Sequence, residues 1–266
     1  DSLRATWGSA RYFFGILAFF PKIVQFARMM ERDEIAHIHA HFASHPAAAA
    51  FIIHRLTGIP YSFVAHGSDL HRDQHMLCEK VAESAFTVTI SHYNARVIAE
   101  ACDGAVAGRV VVLRCGVDTE VFTPRPRYNT NGGPAKPLVI LNIGTMHEVK
   151  GQTYLIEACR LLKERGVRFT LEFIGDGPDQ PALEAQVVAA GLADSTVFHG
   201  RLQRQAIVER LQQVDILVTP SVPSSDNRRE GIPLVLVEAM ASGVAVIASD
   251  LSGIPELVLH EQTGLL

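Results

Sequence analysis

Arg229-Glu230-Gly231-Ile232-Pro233-Leu234-Val235-Leu236-Val237-Glu238-Ala239-Met240-Ala241-Ser242-Gly243 sets two carboxylates on either side of a glycine, a proline and an apolar run. Proline suits the first turn of a helix, where its missing N–H would have no partner anyway, and Gly231 just before it lets a ligand approach the backbone. A helix is therefore expected to open near Pro233. Its first N–H groups, at Leu234 and Val235, would face the preceding loop with the positive end of the helix dipole behind them, an arrangement suited to a phosphate. Glu230 stands ahead of that point and Glu238 behind it, and an all-helical path between them would span about 12 Å. Two carboxylates could then flank a bound diphosphate and accept hydrogen bonds from hydroxyls on both sides. The plain alternative is an ordinary core helix with Glu238 in solvent.

Working outward, short β-branched runs alternate with helical patterns, the signature of parallel α/β architecture. Strands are expected near 36–39, 61–65, 86–90 and 110–113, with helices near 10–30, 46–56, 74–84 and 93–101. Thr123-Pro124-Arg125-Pro126-Arg127-Tyr128-Asn129-Thr130-Asn131-Gly132-Gly133-Pro134-Ala135-Lys136-Pro137 then breaks the periodicity and reads as a linker. The alternation restarts with strands near 138–143, 169–174, 197–199, 216–219 and 244–248 and helices near 153–164, 181–190, 205–212 and 233–241. Two Rossmann-like domains facing a cleft account for this most simply: residues 1–123, a linker at 124–137, and residues 138–266. In such sheets ligands bind beyond the carboxyl ends of the strands, so the cleft is the expected site.

Composition narrows the function classes. Hydrophobic residues make up 48% and charged residues 20% of the 266, which is the balance of a folded protein with a real core. Net charge is −4, and residues 1–123 hold 11 Lys and Arg against 12 Asp and Glu. Neither half is a polycation, so nucleic acid is not an expected partner. Cys78, Cys102, Cys115 and Cys159 show no paired spacing, which argues against structural zinc and against a disulfide framework and favours a reducing, cytoplasmic compartment. The apolar run Tyr12 to Phe20 ends at Pro21, short of the roughly 20 residues that cross a bilayer. Residues 11–32 mix aromatics with Lys22, Arg28 and Arg32, as a peripheral helix on the inner face of a membrane would. A helix packed on the first sheet is the favoured reading, because that half has no basic excess.

The opening stretch, continued by Ala245-Val246-Ile247-Ala248-Ser249, Ser252-Gly253-Ile254-Pro255-Glu256-Leu257-Val258 and Gln262-Thr263-Gly264-Leu265-Leu266, resembles retaining glycosyltransferases of family four, which have the GT-B fold. The resemblance covers nearly the whole chain and is strongest after Leu138. It implies transfer of a hexose from a nucleotide diphosphate sugar, UDP- or GDP-linked, to a hydroxyl of a glycan or lipid-linked saccharide, with no further cofactor and no metal. It also implies that the chain is truncated at both ends. Within the family the closest wording is that of bacterial exopolysaccharide enzymes, the colanic-acid type among them. By the same resemblance Glu230 contacts the donor sugar and Glu238 the ribose, while Gly231, Ile232, Pro233, Leu234 and Val235 hold the diphosphate.

Further positions follow from it. Leu141-Asn142-Ile143-Gly144-Thr145-Met146-His147-Glu148-Val149-Lys150-Gly151 matches a strand and loop in which Gly144 approaches the donor and Lys150 meets a phosphate oxygen, for which a compact ammonium is suited. Thr145 stands where the family carries an arginine, so Arg201, Arg228, Arg229 or His147 must compensate or catalysis is weak. Val197-Phe198-His199-Gly200-Arg201 matches a loop that meets the nucleotide base, with Gly200 and Arg201 at its tip. Ser62-Phe63-Val64-Ala65-His66-Gly67-Ser68-Asp69 puts His66 at a strand end, where the family's histidine contacts the sugar. Ser91 and Asn94 read as helix caps.

Two rivals stay open. His37, His39 and His41 alternate on one strand and could converge on a metal, making the chain a metal-dependent hydrolase, but they lack a carboxylate in ligand spacing and structural or acceptor-side use is the favoured reading. Thr145 and the missing ends would also suit a non-catalytic remnant that only binds nucleotide sugar.

Overall fold

Runs of β-branched and aliphatic residues too short for helices form strands, and the helical segments between them carry the chain back so that each strand pairs in parallel. The computed structural model describes residues 10–72, 74–124 and 136–266. In the first part of the chain the elements are α1 (Ala10–Arg32), β1 (Ile38–His41), α2 (His45–Thr57), β2 (Tyr61–Ala65), α3 (Ser68–His71), α4 (Leu77–Glu83), β3 (Phe86–Thr89), α5 (His92–Ala101) and β4 (Val110–Val112). The rest comprises β5 (Leu138–Ile143), α6 (Gln152–Glu164), β6 (Phe169–Ile174), α7 (Gln180–Ala189), β7 (Thr196–Phe198), α8 (Arg204–Leu211), β8 (Ile216–Thr219), α9 (Leu234–Ala241) and β9 (Ala245–Ala248).

The chain divides into two compact units, one of Asp1–Arg114 with Asp226–Gly231 and one of Cys115–Ser225 with Ile232–Leu266. The first is built on a parallel sheet of order β1-β2-β3-β4, whose core gathers Phe51, Tyr61, Phe63 and Leu70. The second has a parallel sheet of order β7-β6-β5-β8-β9 with a core on each face. Leu141, Leu217 and Leu236 pack on one side, and Leu171, Phe173 and Ile156 on the other. Because β5 and β8 are neighbours while the chain runs outward from β5 through β6 to β7, the strand order reverses between them. Open α/β sheets bind ligands outside the carboxyl ends of the strands at such a point.

Four expectations are corrected. The chain does not change units at residue 123: Val117, Val121 and Phe122 pack into the second core, because Phe122 is fully buried there. Most of the expected linker, 124–137, lies outside the described residues. The first helix runs through Pro21 as expected, but its apolar stretch does not stop there, and the 20 residues Phe13–Arg32 are long and apolar enough to cross a membrane by length and composition. Ile16, Ile23 and Ala27 bury one narrow stripe of α1 in the first core, while Phe14, Leu17, Phe19, Phe20 and Phe26 are exposed. Cys78 and Cys102, 24 residues apart in sequence, are joined by a disulfide. α4 and α5 bring them together although no spacing rule announces the pair, and cysteine usage no longer argues for a reducing compartment. Finally, Pro233 precedes α9 instead of opening it, with extended ψ of 124°.

Candidate functional site

The reversal between β5 and β8 carries a small pocket lined by Asn142, Ile143, Lys150, Thr219, Ser221, Pro233 and Val235. Strand ends supply Asn142, Ile143 and Thr219, the loop after β5 supplies Lys150, and the start of α9 closes it. Asn142 Nδ2 donates to the Val218 carbonyl at 2.8 Å, tying the two central strands at the pocket floor. The stem of Lys150 lies over Gly144, where an added Cβ would come within 3.3 Å of Lys150 Cδ and Cε. Leu234 and Val235 are the first residues of α9, so helical geometry leaves their N–H groups without partners inside the helix. Thr219 is nearly fully buried, and among the described residues its Oγ1 has no hydrogen-bond partner. An ammonium, a helix start and a hydroxyl thus meet at one place, and their shared chemistry is that of anion binding.

Glu238 lies on α9 behind this pocket and is half-buried rather than turned into solvent. Burial pushes its carboxyl above the ordinary value, and Arg204 acts in the opposite direction. The loops after β6 and β7 are laced together: Gly175 N–H donates to the Gly200 carbonyl at 2.8 Å, and Arg201 Nε donates to Asp176 Oδ1 at 2.7 Å. Gly200 and Arg201 therefore sit on a braced rim.

The first unit holds a second constellation. His66 follows β2, and the Asp69 carboxylate accepts from the N–H groups of Gly67 (2.7 Å), Ala43 (2.8 Å) and His66 (3.1 Å), fixing the chain after β1 against the chain after β2. Asn94 Nδ2 donates to the His66 carbonyl at 2.9 Å, while Ser91 caps α5 by accepting from Asn94 N–H at 3.1 Å. Gly231 reaches the same carbonyl from Asp226–Gly231: an added Cβ there would lie 2.6 Å from His66 O. Glu230 is therefore held next to His66 in the fold of this unit. Burial pushes the His66 imidazole below the ordinary histidine value, opposed by the Asp69 carboxylate and reinforced by His41.

The histidine row does not gather on a metal. His37 Nε2 and His39 Nδ1 both meet Ser62 Oγ, at 2.7 and 2.8 Å, and His41 stacks on His66 with centroids 5.8 Å apart. Among the described residues no group of three metal-ligating side chains converges. Register explains this, because His39 pairs with Ser62 across the β1–β2 ladder. Of the four groups considered to replace the arginine missing at Thr145, three are engaged. Arg201 pairs with Asp176, Arg228 with Asp226 at 2.9 Å, and His147 Nδ1 accepts from Val149 N–H. Arg229 differs, since among the described residues its buried Nε has no partner.

Asp69 and Thr219 were not singled out from the sequence, and Asn94, read there as a helix cap, instead sends its side chain to the His66 carbonyl. Asp69 carries only a general local signal, that a short carboxylate in a turn commonly bonds nearby backbone, although here it accepts from Gly67 and His66, which precede it. Thr219 has no such local signal, since only the strand order brings it to the pocket.

Two parallel-sheet α/β units, one carrying a pocket where its strand order reverses, define the GT-B fold class. The structure superposes on Anabaena Alr3699/HepE, solved in complex with UDP, with TM-score 0.76 and 21% identity over 92% of this chain and 68% of that one. It matches the sucrose-phosphate synthase of Thermosynechococcus elongatus equally well, with TM-score 0.76 and 21% identity over 94% and 65% of the two chains. Residues 128–266 match the family described as glycosyl transferases group 1, and residues 7–121 match glycosyltransferase family 4. The chain belongs to the group 1 glycosyl transferases.

Among curated relatives, the Escherichia coli protein assigned to colanic acid biosynthesis as glycosyltransferase WcaL is 38% identical over 61% of this chain and 39% of its own length. The amylovoran biosynthesis glycosyltransferase AmsK of Erwinia amylovora is 34% identical over 76% of this chain and 50% of its own. The chain thus spans at most half of these two relatives.

Proposed function

We propose that the chain is the core of a retaining glycosyltransferase that moves a hexose from a UDP- or GDP-linked donor to a hydroxyl of a growing exopolysaccharide or lipid-linked saccharide. The observation that carries this reading is the pocket between β5 and β8, where Lys150, the α9 start and Thr219 meet. As the bond between the anomeric carbon and the diphosphate breaks, negative charge grows on the leaving oxygens. An ammonium and free helix N–H groups fixed beforehand stabilise that charge more than they stabilise the bound donor, which is what lowers a barrier.

Glu238 accepts from the ribose hydroxyls, and Glu230 orients hydroxyls of the sugar. His66, kept neutral by burial, donates to the sugar without adding a charge. The departing diphosphate takes the acceptor's proton, so neither glutamate needs to act as nucleophile. Relatives concerned with colanic acid and amylovoran support the acceptor class, and the UDP held by the Anabaena structure supports the donor class. Exposed aromatics on α1 beside Lys22 and Arg28 support action at the inner face of a membrane.

Titrating uridine, guanosine and adenosine diphosphates against the protein, followed by an assay of donor hydrolysis, tests the proposal. Saturable binding of one diphosphate with slow release of its sugar is expected. Binding with no sugar release, even from a chain extended to the length of its relatives, would favour the nucleotide-binding remnant that Thr145 suggests, and no binding would overturn the reading altogether.

A further inference from the structure

Glu172 lies on β6 in the middle of the second sheet, on the face that carries Leu141 and Ile174, and is 2% exposed. A carboxylate there is costly, and an apolar residue of similar size would pack without that cost. Its two oxygens are nevertheless fully used. Arg210 of α8 donates to both in a bidentate pair, and His199 Nε2 lies 3.1 Å from Oε2. An ionised carboxylate only accepts, so Nε2 is the nitrogen that carries the proton. Arg210 is a counter-charge supplied by α8, whereas His199 is on the rim loop that leads into Gly200 and Arg201.

Three more bonds in the same place hold that loop to the end of β6. His199 N–H donates to the Phe173 carbonyl at 2.9 Å, Gly175 N–H to the Gly200 carbonyl, and Arg201 to Asp176. The first two fix backbone and the third is an exposed pair. The Glu172 contact is the one that reaches from the rim into the core and sets the ring of His199.

We infer that Glu172 is a positioning residue for nucleobase recognition: through His199 it fixes the 199–201 loop, which the family resemblance implies meets the base of the donor nucleotide. The inference rests on the nucleotide-sugar reading and deepens it. Phosphate binding sits at the β5–β8 pocket, so a defect at Glu172 should fall on the base and spare the phosphates.

Calorimetric titration of wild type and Glu172→Leu with uridine diphosphate, guanosine diphosphate and inorganic pyrophosphate separates these terms. In the variant the preferred nucleoside diphosphate should weaken roughly tenfold, the worth of about one hydrogen bond, and discrimination between the two bases should shrink. Pyrophosphate affinity should not change. In turnover the loss should appear in KM for the donor and not in kcat, and Glu172→Gln, which keeps an acceptor for His199, should recover most of it. Equal weakening of nucleotide and pyrophosphate, or weakening of neither, overturns the inference. Should Glu172→Leu not fold, His199→Ala breaks the same contact from the rim and is held to the same two outcomes. Wild type that binds no nucleoside diphosphate overturns the donor reading itself, a result distinct from a variant that binds as wild type does.

Discussion

The pocket of the second unit and the His66 loop of the first are built in opposite ways. The former is mostly architecture: two central strands stop, a helix starts, and one lysine leans over a glycine. The latter is mostly side-chain bracing, with Asp69 holding three N–H groups and Asn94 and Gly231 converging on one carbonyl. Groups fixed by sheet topology keep their geometry when a neighbour is changed. Groups fixed by a few hydrogen bonds lose it when any of them goes. The first design suits the unvarying charge of a diphosphate, and the second suits a surface that must fit a particular sugar.

The contrast gives sharp tests. Lys150→Ala should have the largest effect, lowering turnover roughly 100-fold or more, about 3 kcal/mol, as removal of a preorganised group facing a developing anion does, while thermal unfolding stays near wild type. A large fall in stability instead would mean that Lys150 is structural and would erase the distinction. Gly231→Ala should act the other way round. Its Cβ would meet His66 O at 2.6 Å and an Ile90 carbon at 2.7 Å, and such overpacking costs about 1–3 kcal/mol, readable in urea denaturation. An unchanged midpoint would show that Asp226–Gly231 does not pack on the first unit as described.

The smallest expected effect is that of pH. Burial, the leading cause in each case, holds His39, His66 and His71 below the ordinary value of 6.5. The folded state then binds fewer protons than the unfolded chain, so their contribution is complete above pH 6.5 and declines as pH falls through their lowered values. The unfolding temperature should drop modestly between about pH 7 and pH 5, and His66→Gln should flatten part of that slope. A midpoint that rises on acidification would reverse the assignment of these rings as neutral in the folded state.

What was legible in the sequence follows the same division. Strands and helices were read to within a few residues because alternation and helical period are local signals, and Leu234 and Val235 were correctly put at a helix start because Pro233 and Gly231 stand next to them. Contacts made by topology were not legible. Thr219 is 69 residues from Lys150 in sequence yet lines the same pocket, and Cys78 meets Cys102 only through the packing of α4 and α5. The histidine row was legible only in part: alternation correctly predicted a shared face, but nothing in the row itself announced that Ser62 would stand opposite and take two of the rings. Nor does a lone glutamate in an apolar strand disclose which arginine and histidine will reach it, as Arg210 and His199 reach Glu172.

Six residues of the polypeptide, Asp226–Gly231, leave the second unit to join the first and then return. A protein cut after Arg114 would consequently carry His66 without the glycine that abuts its carbonyl, and its complement would keep Glu230 with nothing to lean on. Neither piece is a self-sufficient module, and any shuffling of halves between such enzymes has to transfer this short excursion together with the amino-terminal half to which it is fitted.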